Sequence, residues 1–436
     1  MKRARVYPYR WVVLVALMGV IMVSQMQWLV LAPVARAATK FYEGQASSTA
    51  IDLLTLIFLL GFIVFSLPAS YIIDKLGLKW TLRLASLLLA FFSLLKGIFS
   101  TIFPLVLVSQ IALAIAYALI LSSVTLVTSR WFALSERGFA TGLVSLAQYL
   151  GLILVMVVSP LVVKTHPQKL NYGEGVRPLL FYLGIVSAAV AIAMFFLFKE
   201  NPPTPPSKEE VVHESPIPTV KLFFEKKSLL GFSLIFGLVW GLFNAFIAKI
   251  DSLAAFMGVE NSNGIAGLIL LGGGMVGSIV VPYLSDFFRK RKFFFFISLA
   301  GIFVCCLIFA FMPLFSKTTM RTYILGYIVA GFLGFFFQSA IPLGFQYASE
   351  LSYPIKESSS QAILLMGGHM IGALLLFLML LKEGALLSLI LSCQCCSPWY
   401  CHRCPPLCRR VPPHYYRGGA FCRCFGGDHQ GGVRVT

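Results

Sequence analysis

Several polar and indole side chains of this 436-residue chain sit inside apolar runs and are its candidates for chemistry: Gln25, Gln27, Trp28, Gln110, Gln148, Trp240, Asn244, Gln338 and His369. A polar group at lipid depth is costly, so each is either bonded to a neighbouring helix or reserved for a cargo. An indole face such as that of Trp28 attracts an organic cation by about 0.5–2 kcal/mol. The other reading of Trp28 is a packing or interfacial tryptophan. Gln148 either meets cargo or bridges two helices. His369 is the only histidine within a clear apolar run, and it can bind cargo, titrate near neutral pH or simply pack. Gln110 and Gln338 are read as structural. No aspartate or glutamate falls in the middle of a run, and Asp52 and Asp251 lie near run ends. Proton-coupled carriers place a carboxylate within the bundle. Its absence favours facilitated diffusion, or coupling through His369. The phosphate loop G-x-x-x-x-G-K-S/T is also missing, so direct use of ATP is not expected.

The elements that carry these residues are long. Hydrophobic residues make up 58% of the chain and charged residues 12%, against about 25% charged in soluble proteins. Lipid must therefore cover most of the surface. Eleven runs reach the roughly 20 residues a spanning helix needs: 11–34, 51–73, 80–99, 103–130, 138–163, 179–198, 229–248, 264–284, 293–315, 323–346 and 360–381. They are continuous rather than alternating, which predicts helices and not barrel strands. The net charge of +18 raises a nucleic-acid reading. The basic residues instead stand in short clusters between runs, as membrane proteins place them, and no nucleic-acid partner is expected. With the N-terminus cytoplasmic, Lys2, Arg3, Arg5, Arg10, Lys75, Lys79, Arg83, Arg130, Arg137 and the cluster Arg289 to Lys292 all fall inside. The outer side carries fewer, among them Arg36, Lys40, Lys96, Lys164 and Lys249. This bias sets the orientation.

The pattern repeats. Residues 1–198 read as a six-helix bundle, 199–228 as a Pro- and charge-rich cytoplasmic linker, and 229–391 as a second bundle. Asp74-Lys75-Leu76-Gly77-Leu78-Lys79 follows the second run, and Asp286 with Arg289-Lys290-Arg291-Lys292 follows the eighth. Glu136, Leu143, Gln148 and Gly151 align at one common offset with Glu357, Leu364, His369 and Gly372. The charged turns suggest a gate whose contacts form in one state and break in the other. Its members would be Asp74, Lys75, Gly77, Lys79, Arg130, Glu136, Arg137, Asp286, Arg289, Glu350 and Glu357. Asp74 is expected near the N-terminus of the eleventh helix, where the dipole favours an anion, or paired with Arg130 or Arg137. The alternative is that these charges only signal topology.

The stretch Ser70 to Lys79 resembles the loop signature G-x-x-x-D-R/K-x-G-R/K-R/K of the major facilitator superfamily, with Ser70 and Leu78 as departures. Arg130-Trp131 to Glu136-Arg137, ending Ala140-Thr141-Gly142, resembles that superfamily's fourth-to-fifth helix loop. Within the superfamily, residues 8–381 are similar to the feline leukaemia virus subgroup C receptor-related transporters. The carriers of that likeness are Tyr9-Arg10-Trp11-Val12-Val13 with Met26-Gln27-Trp28, Pro68-Ala69-Ser70-Tyr71, Gln148-Tyr149-Leu150-Gly151, and Glu350 to Glu357. The resemblance implies an all-α membrane protein of two six-helix bundles related by a pseudo-two-fold axis, and a choline-like cation or haem-like cargo. It also implies a substrate site at Gln27, Trp28 and Gln148. His369 stands where the family has another Gln. Asn244 stands where it tends to have an aromatic, a lost wall for which Trp240 is the nearby substitute.

The expected twelfth helix begins near Ala385 and fails after Leu391. Residues 392–436 hold eight of the ten cysteines, and six Arg against one Asp. Cys401, His402, Cys404 and Cys408 are zinc-type ligands without a repeated spacing, so no metal site is expected. The tail reads as a shifted reading frame that disrupts the twelfth helix. The resulting expectation is a secondary transporter of a small organic solute, working by alternating access without proton coupling. It is expected as a monomer among the lipids of the cell membrane, with N-terminus and linker cytoplasmic, no cofactor and no enzymatic activity. The rivals are a non-transporting receptor or sensor, for which the linker is too short to be a soluble domain, and an inactive product of the corrupted C-terminus.

Overall fold

The computed structural model describes residues 7–164, 173–203, 227–256, 264–311, 320–352 and 357–381. The expected twelfth helix, the tail, linker residues 204–226 and Tyr353 to Lys356 lie outside them. The described residues form thirteen α-helices: α1 Tyr9–Leu29, α2 Ala35–Phe41, α3 Ser48–Leu76, α4 Leu78–Ile98, α5 Phe103–Trp131, α6 Leu134–Val162, α7 Val176–Leu197, α8 Lys227–Ala248, α9 Ile250–Phe256, α10 Ile265–Phe288, α11 Arg291–Phe311, α12 Met320–Ser352 and α13 Glu357–Leu381. Strands are absent among these residues. Among the described residues, eleven spans are long and apolar enough to cross a membrane. Hydrocarbon offers no hydrogen-bond partner to a bare amide, so only helices satisfy such runs from within.

The sequence placed the runs well and some of their ends less so. The first run breaks at Leu29, and a 3-10 turn at Ala32–Val34 leads into α2. Pro33 lies in that turn, and a proline supplies no N–H to continue a helix. The tenth run continues to Ser352, so Glu350 stands in the last turn of α12 rather than in a loop. Between α3 and α4 the chain reverses at Gly77, whose φ of 79° is strained for a residue with a Cβ.

Two helix sets pack in the same way. In the first, α1 lies on α6, α3 on α5 and α4 on α5; in the second, α8 lies on α13, α10 on α12 and α11 on α12. The echo between Gly151 and Gly372 has a direct physical counterpart here. A Cβ on Gly151 would stand 2.4 Å from the Met22 carbonyl oxygen of α1. On Gly372 it would stand 3.2 Å from the Gly241 Cα of α8. Each glycine thus lets its helix press against the first helix of its own set.

Successive spans alternate in direction. The turns at Gly77, at Ala133 and at Arg289 therefore share one face with the two ends of the linker. This is the linker face. The sets meet where α3 touches α13 and where α6 touches α10. Both halves of α6 have a buried and an exposed side: Ala140, Val144, Ala147, Gly151, Val155 and Ser159 are buried, and Phe139, Leu146, Leu154 and Leu161 are exposed. The sets are joined at the far end, where Gly264 and Gly267 at the start of α10 stand against Met156 and Pro160 of α6.

Candidate functional site

A file of rings crosses from one helix set to the other. Trp28 of α1 stacks on Phe58 of α3, with ring centres 6.0 Å apart. Phe58 and Phe62 flank Tyr117 of α5 at 5.0 and 5.9 Å. Phe62 then meets His369 of α13 at 4.5 Å, and His369 meets Trp240 of α8 at 5.9 Å. Trp240 continues to Phe236 and Phe345. The crossing lies halfway along α3 and α13, at the depth where carriers of two packed repeats bind cargo.

Polar atoms accompany the rings. Gln25 donates its Nε2 to the Tyr117 hydroxyl at 2.9 Å, and its Oε1 is buried with no partner. Trp240 Nε1 and Asn244 Nδ2 are also buried without a hydrogen bond among the described residues. Buried groups of this kind ordinarily find partners, and these two donors and the Gln25 acceptor have none among the described residues. His369 Nδ1 lies 2.7 Å from the Leu365 carbonyl oxygen. A carbonyl only accepts, so Nδ1 carries the hydrogen, and Nε2 of the neutral ring is an acceptor.

Of the residues singled out in the sequence, Trp240, Asn244 and His369 come together at this crossing. Trp240 and Asn244 are one turn apart on α8, and a Cβ built on Gly372 of α13 would lie 3.5 Å from Asn244 Cβ. Trp28 is buried, with Nε1 donated to the Thr55 carbonyl at 3.2 Å. Gln148 is half-buried on α6. The adjacent Tyr149 lines a cleft between the sets with Ile153, Leu271, Gly274, Ser278 and Gln338. Gln27 turns into the first set instead: Nε2 donates to Ser187 at 3.0 Å, and Oε1 accepts from Lys96 at 3.2 Å. Lys96, expected among the charges of the outer side, is fully buried in the last turn of α4. The signal that could have located it was the pair of lipid-depth amides, Gln27 and Gln110, which needed a donor.

The charged turns sort by face. At the linker face Arg10 pairs with Glu136, Arg130 with Glu200 at 2.7 Å, and Arg291 with Glu350, each pair within one set. Glu200, a residue the sequence reading passed over, also lies by the Gly77 turn, 3.4 Å from where a Cβ would stand. Asp74, Lys75 and Arg289 are exposed, and Lys79 and Arg137 are half-buried. Lys75 lies over the Tyr71 ring at 4.8 Å. The side chains of Asp286 and Glu357 lie outside the described residues. At the opposite face the ion pairs join the two sets. Arg36 grips Asp251 through Nε, Nη2 and its backbone N–H at 2.9–3.1 Å, and Lys249 pairs with Asp52.

Comparison with known proteins agrees with this architecture. The family description Major Facilitator Superfamily matches residues 13–388. The zebrafish choline/ethanolamine transporter flvcr2a is 26% identical over 372 residues, covering 83% of this chain and 77% of that protein. The human choline/ethanolamine transporter FLVCR2 is 24% identical, covering 83% and 70%. Among solved structures, a bacterial homologue of the human lysosomal transporter Spinster superposes with a TM-score of 0.66 at 16% identity, covering 85% of this chain and 81% of that one.

Proposed function

The chain belongs to the major facilitator superfamily, and from that premise we propose that it is a secondary carrier of a small amino alcohol, held where the two helix sets meet. The observation that carries this reading is the crossing of Phe62, His369 and Trp240, beside the unpartnered donors Trp240 Nε1 and Asn244 Nδ2. An ammonium group rests on the indole face. Its N–H groups donate to His369 Nε2 and Gln25 Oε1. A hydroxyl oxygen on the same molecule accepts from Asn244. Gln148 and Trp28 frame the site from the first set, while Gln27 is taken up by Ser187 and Lys96. Relatives bearing the name choline/ethanolamine transporter support the cargo class.

The acceptors set a preference within that class. A primary ammonium offers them three N–H donors and a quaternary one offers none. Asn244 also removes an aromatic wall that a quaternary group would use. We therefore expect ethanolamine to bind about tenfold more tightly than choline, since a charge-assisted hydrogen bond is worth about 1.5–3 kcal/mol. Binding to the purified protein, read as thermal stabilisation by each amine, tests this. Equal or reversed ranking removes the preference, and no stabilisation by either removes the cargo.

The carrier works as a monomer of residues 1–198, 199–228 and 229–391 in the cell membrane, with N-terminus and linker cytoplasmic. In that orientation the state described here opens inward. Asp74, Lys75, Gly77, Lys79, Arg130, Glu136, Arg137, Asp286, Arg289, Glu350 and Glu357 form the cytoplasmic gate, remade when the linker face closes. Transport runs down the cargo gradient. Uptake unchanged by an imposed pH gradient is the expected result, and strong gradient dependence would contradict it.

A further inference from the structure

Lys96 lies in the interior of the first helix set and is 1% exposed. Its Nζ is 2.7 Å from Gln110 Oε1, 3.2 Å from Gln27 Oε1 and 3.2 Å from the Gln27 carbonyl oxygen. Each amide nitrogen is engaged elsewhere, which aims its oxygen at the lysine. Gln27 Nε2 donates to Ser187 of α7, and Gln110 Nε2 donates to the carbonyls of Leu54 in α3 and Gln27 in α1. Gln27, Gln110, Ser187 and Lys96 are all buried. Three oxygens match the three N–H donors of an ammonium, whereas a neutral amine has only two. Among the described residues no carboxylate lies within ion-pair distance of Lys96. The arrangement is thus a cage of neutral oxygens around the lysine nitrogen, the kind of cage in which proteins hold a bare alkali cation.

We propose that this cage is a monovalent-cation site of the first helix set, permanently filled by the chain's own Lys96. The carrier brings its cation with it and requires no exchangeable one at this position. The network ties α1, α3, α4, α5 and α7 together, so the charge also holds the set in register. The consequence for uptake rests on the transport reading above, while the cage itself does not.

The test uses the full-length protein in detergent, with thermal unfolding as the readout. Lys96→Ala vacates the cage. Its melting temperature is expected to fall, and to recover by about 3 °C or more with ethylammonium, sodium or potassium chloride. Tetramethylammonium chloride, too bulky for the cage, should do nothing, and the wild type should respond to none of the four. Lys96→Met fills the space without charge, and should unfold at lower temperature than the wild type in every salt. Lys96→Met as stable as the wild type, or Lys96→Ala indifferent to small cations, overturns the proposal. Should Lys96→Ala fail to accumulate, Lys96→Met decides alone by the comparison just given. In proteoliposomes, Lys96→Ala uptake should require a small cation that wild-type uptake does not. Absence of uptake by the wild type would count against transport and leave the cage standing.

Discussion

His369 donates Nδ1–H to the carbonyl one turn back, which fixes the ring and leaves Nε2 as the acceptor. Its value to a guest is therefore one lone pair beside an aromatic wall. Glutamine in its place keeps an acceptor, whereas phenylalanine keeps the wall and loses it. His369→Gln should hold affinity for an amine cargo within about threefold, and His369→Phe should weaken it by about tenfold, the worth of one charge-assisted hydrogen bond. Titration of the purified variants with ethanolamine measures both, and equal affinities would show that Nε2 accepts nothing. The sequence exposed His369, Trp240 and Asn244 as costly residues, because polarity in an apolar run is visible without a fold. It did not distinguish Gln27 from them. Gln27 is as polar, and only the packing of α4 and α7 beside α1 reveals that it faces Lys96.

At the scale of the helix, apolar length was legible because hydrocarbon thickness is a physical ruler. The repeat was legible where both copies face the same constraint. Gly151 and Gly372 are one such case, each pressed against the first helix of its set. Gly142 lies on the same helix as Gly151 but has nothing within 4 Å of the place a Cβ would occupy. The two glycines should therefore respond oppositely to alanine. Gly151→Ala forces α6 away from the Met22 carbonyl, an overpacking expected to cost about 1–3 kcal/mol. Gly142→Ala should cost nothing and gain up to about 1 kcal/mol from helix propensity. Melting temperatures in detergent would separate them, and a loss at Gly142 as large as that at Gly151 would refute the contact argument. Helix ends were less legible, since capping and turns answer to neighbours: Glu350 looked like a loop residue and lies in α12.

For the whole molecule, the ion pairs of the far face tie the two sets together. At the far face Asp52 with Lys249 and Asp251 with Arg36 cross between the sets, and the described linker-face pairs stay within a set. The sequence showed Asp52 and Asp251 as charges near span ends. It could not show that they cross, because the pairing exists only once two distant segments meet. Asp52 and Lys249 are each about 7% exposed at the side chain. Removing one partner of a buried pair costs about 3–5 kcal/mol, largely from the charge left behind. That cost falls on the far-closed state alone. Asp52→Asn should therefore move the equilibrium between the two openings by more than about a hundredfold. Labels at Lys40 and Ser252, both exposed at the far face, should move apart in Asp52→Asn. The double exchange Asp52→Lys with Lys249→Asp restores the pair and should bring the labels back together. Unchanged label distances in Asp52→Asn would mean that the far face is held shut by the packing of α3 on α13 and α6 on α10 alone, and that its ion pairs only ride on that closure.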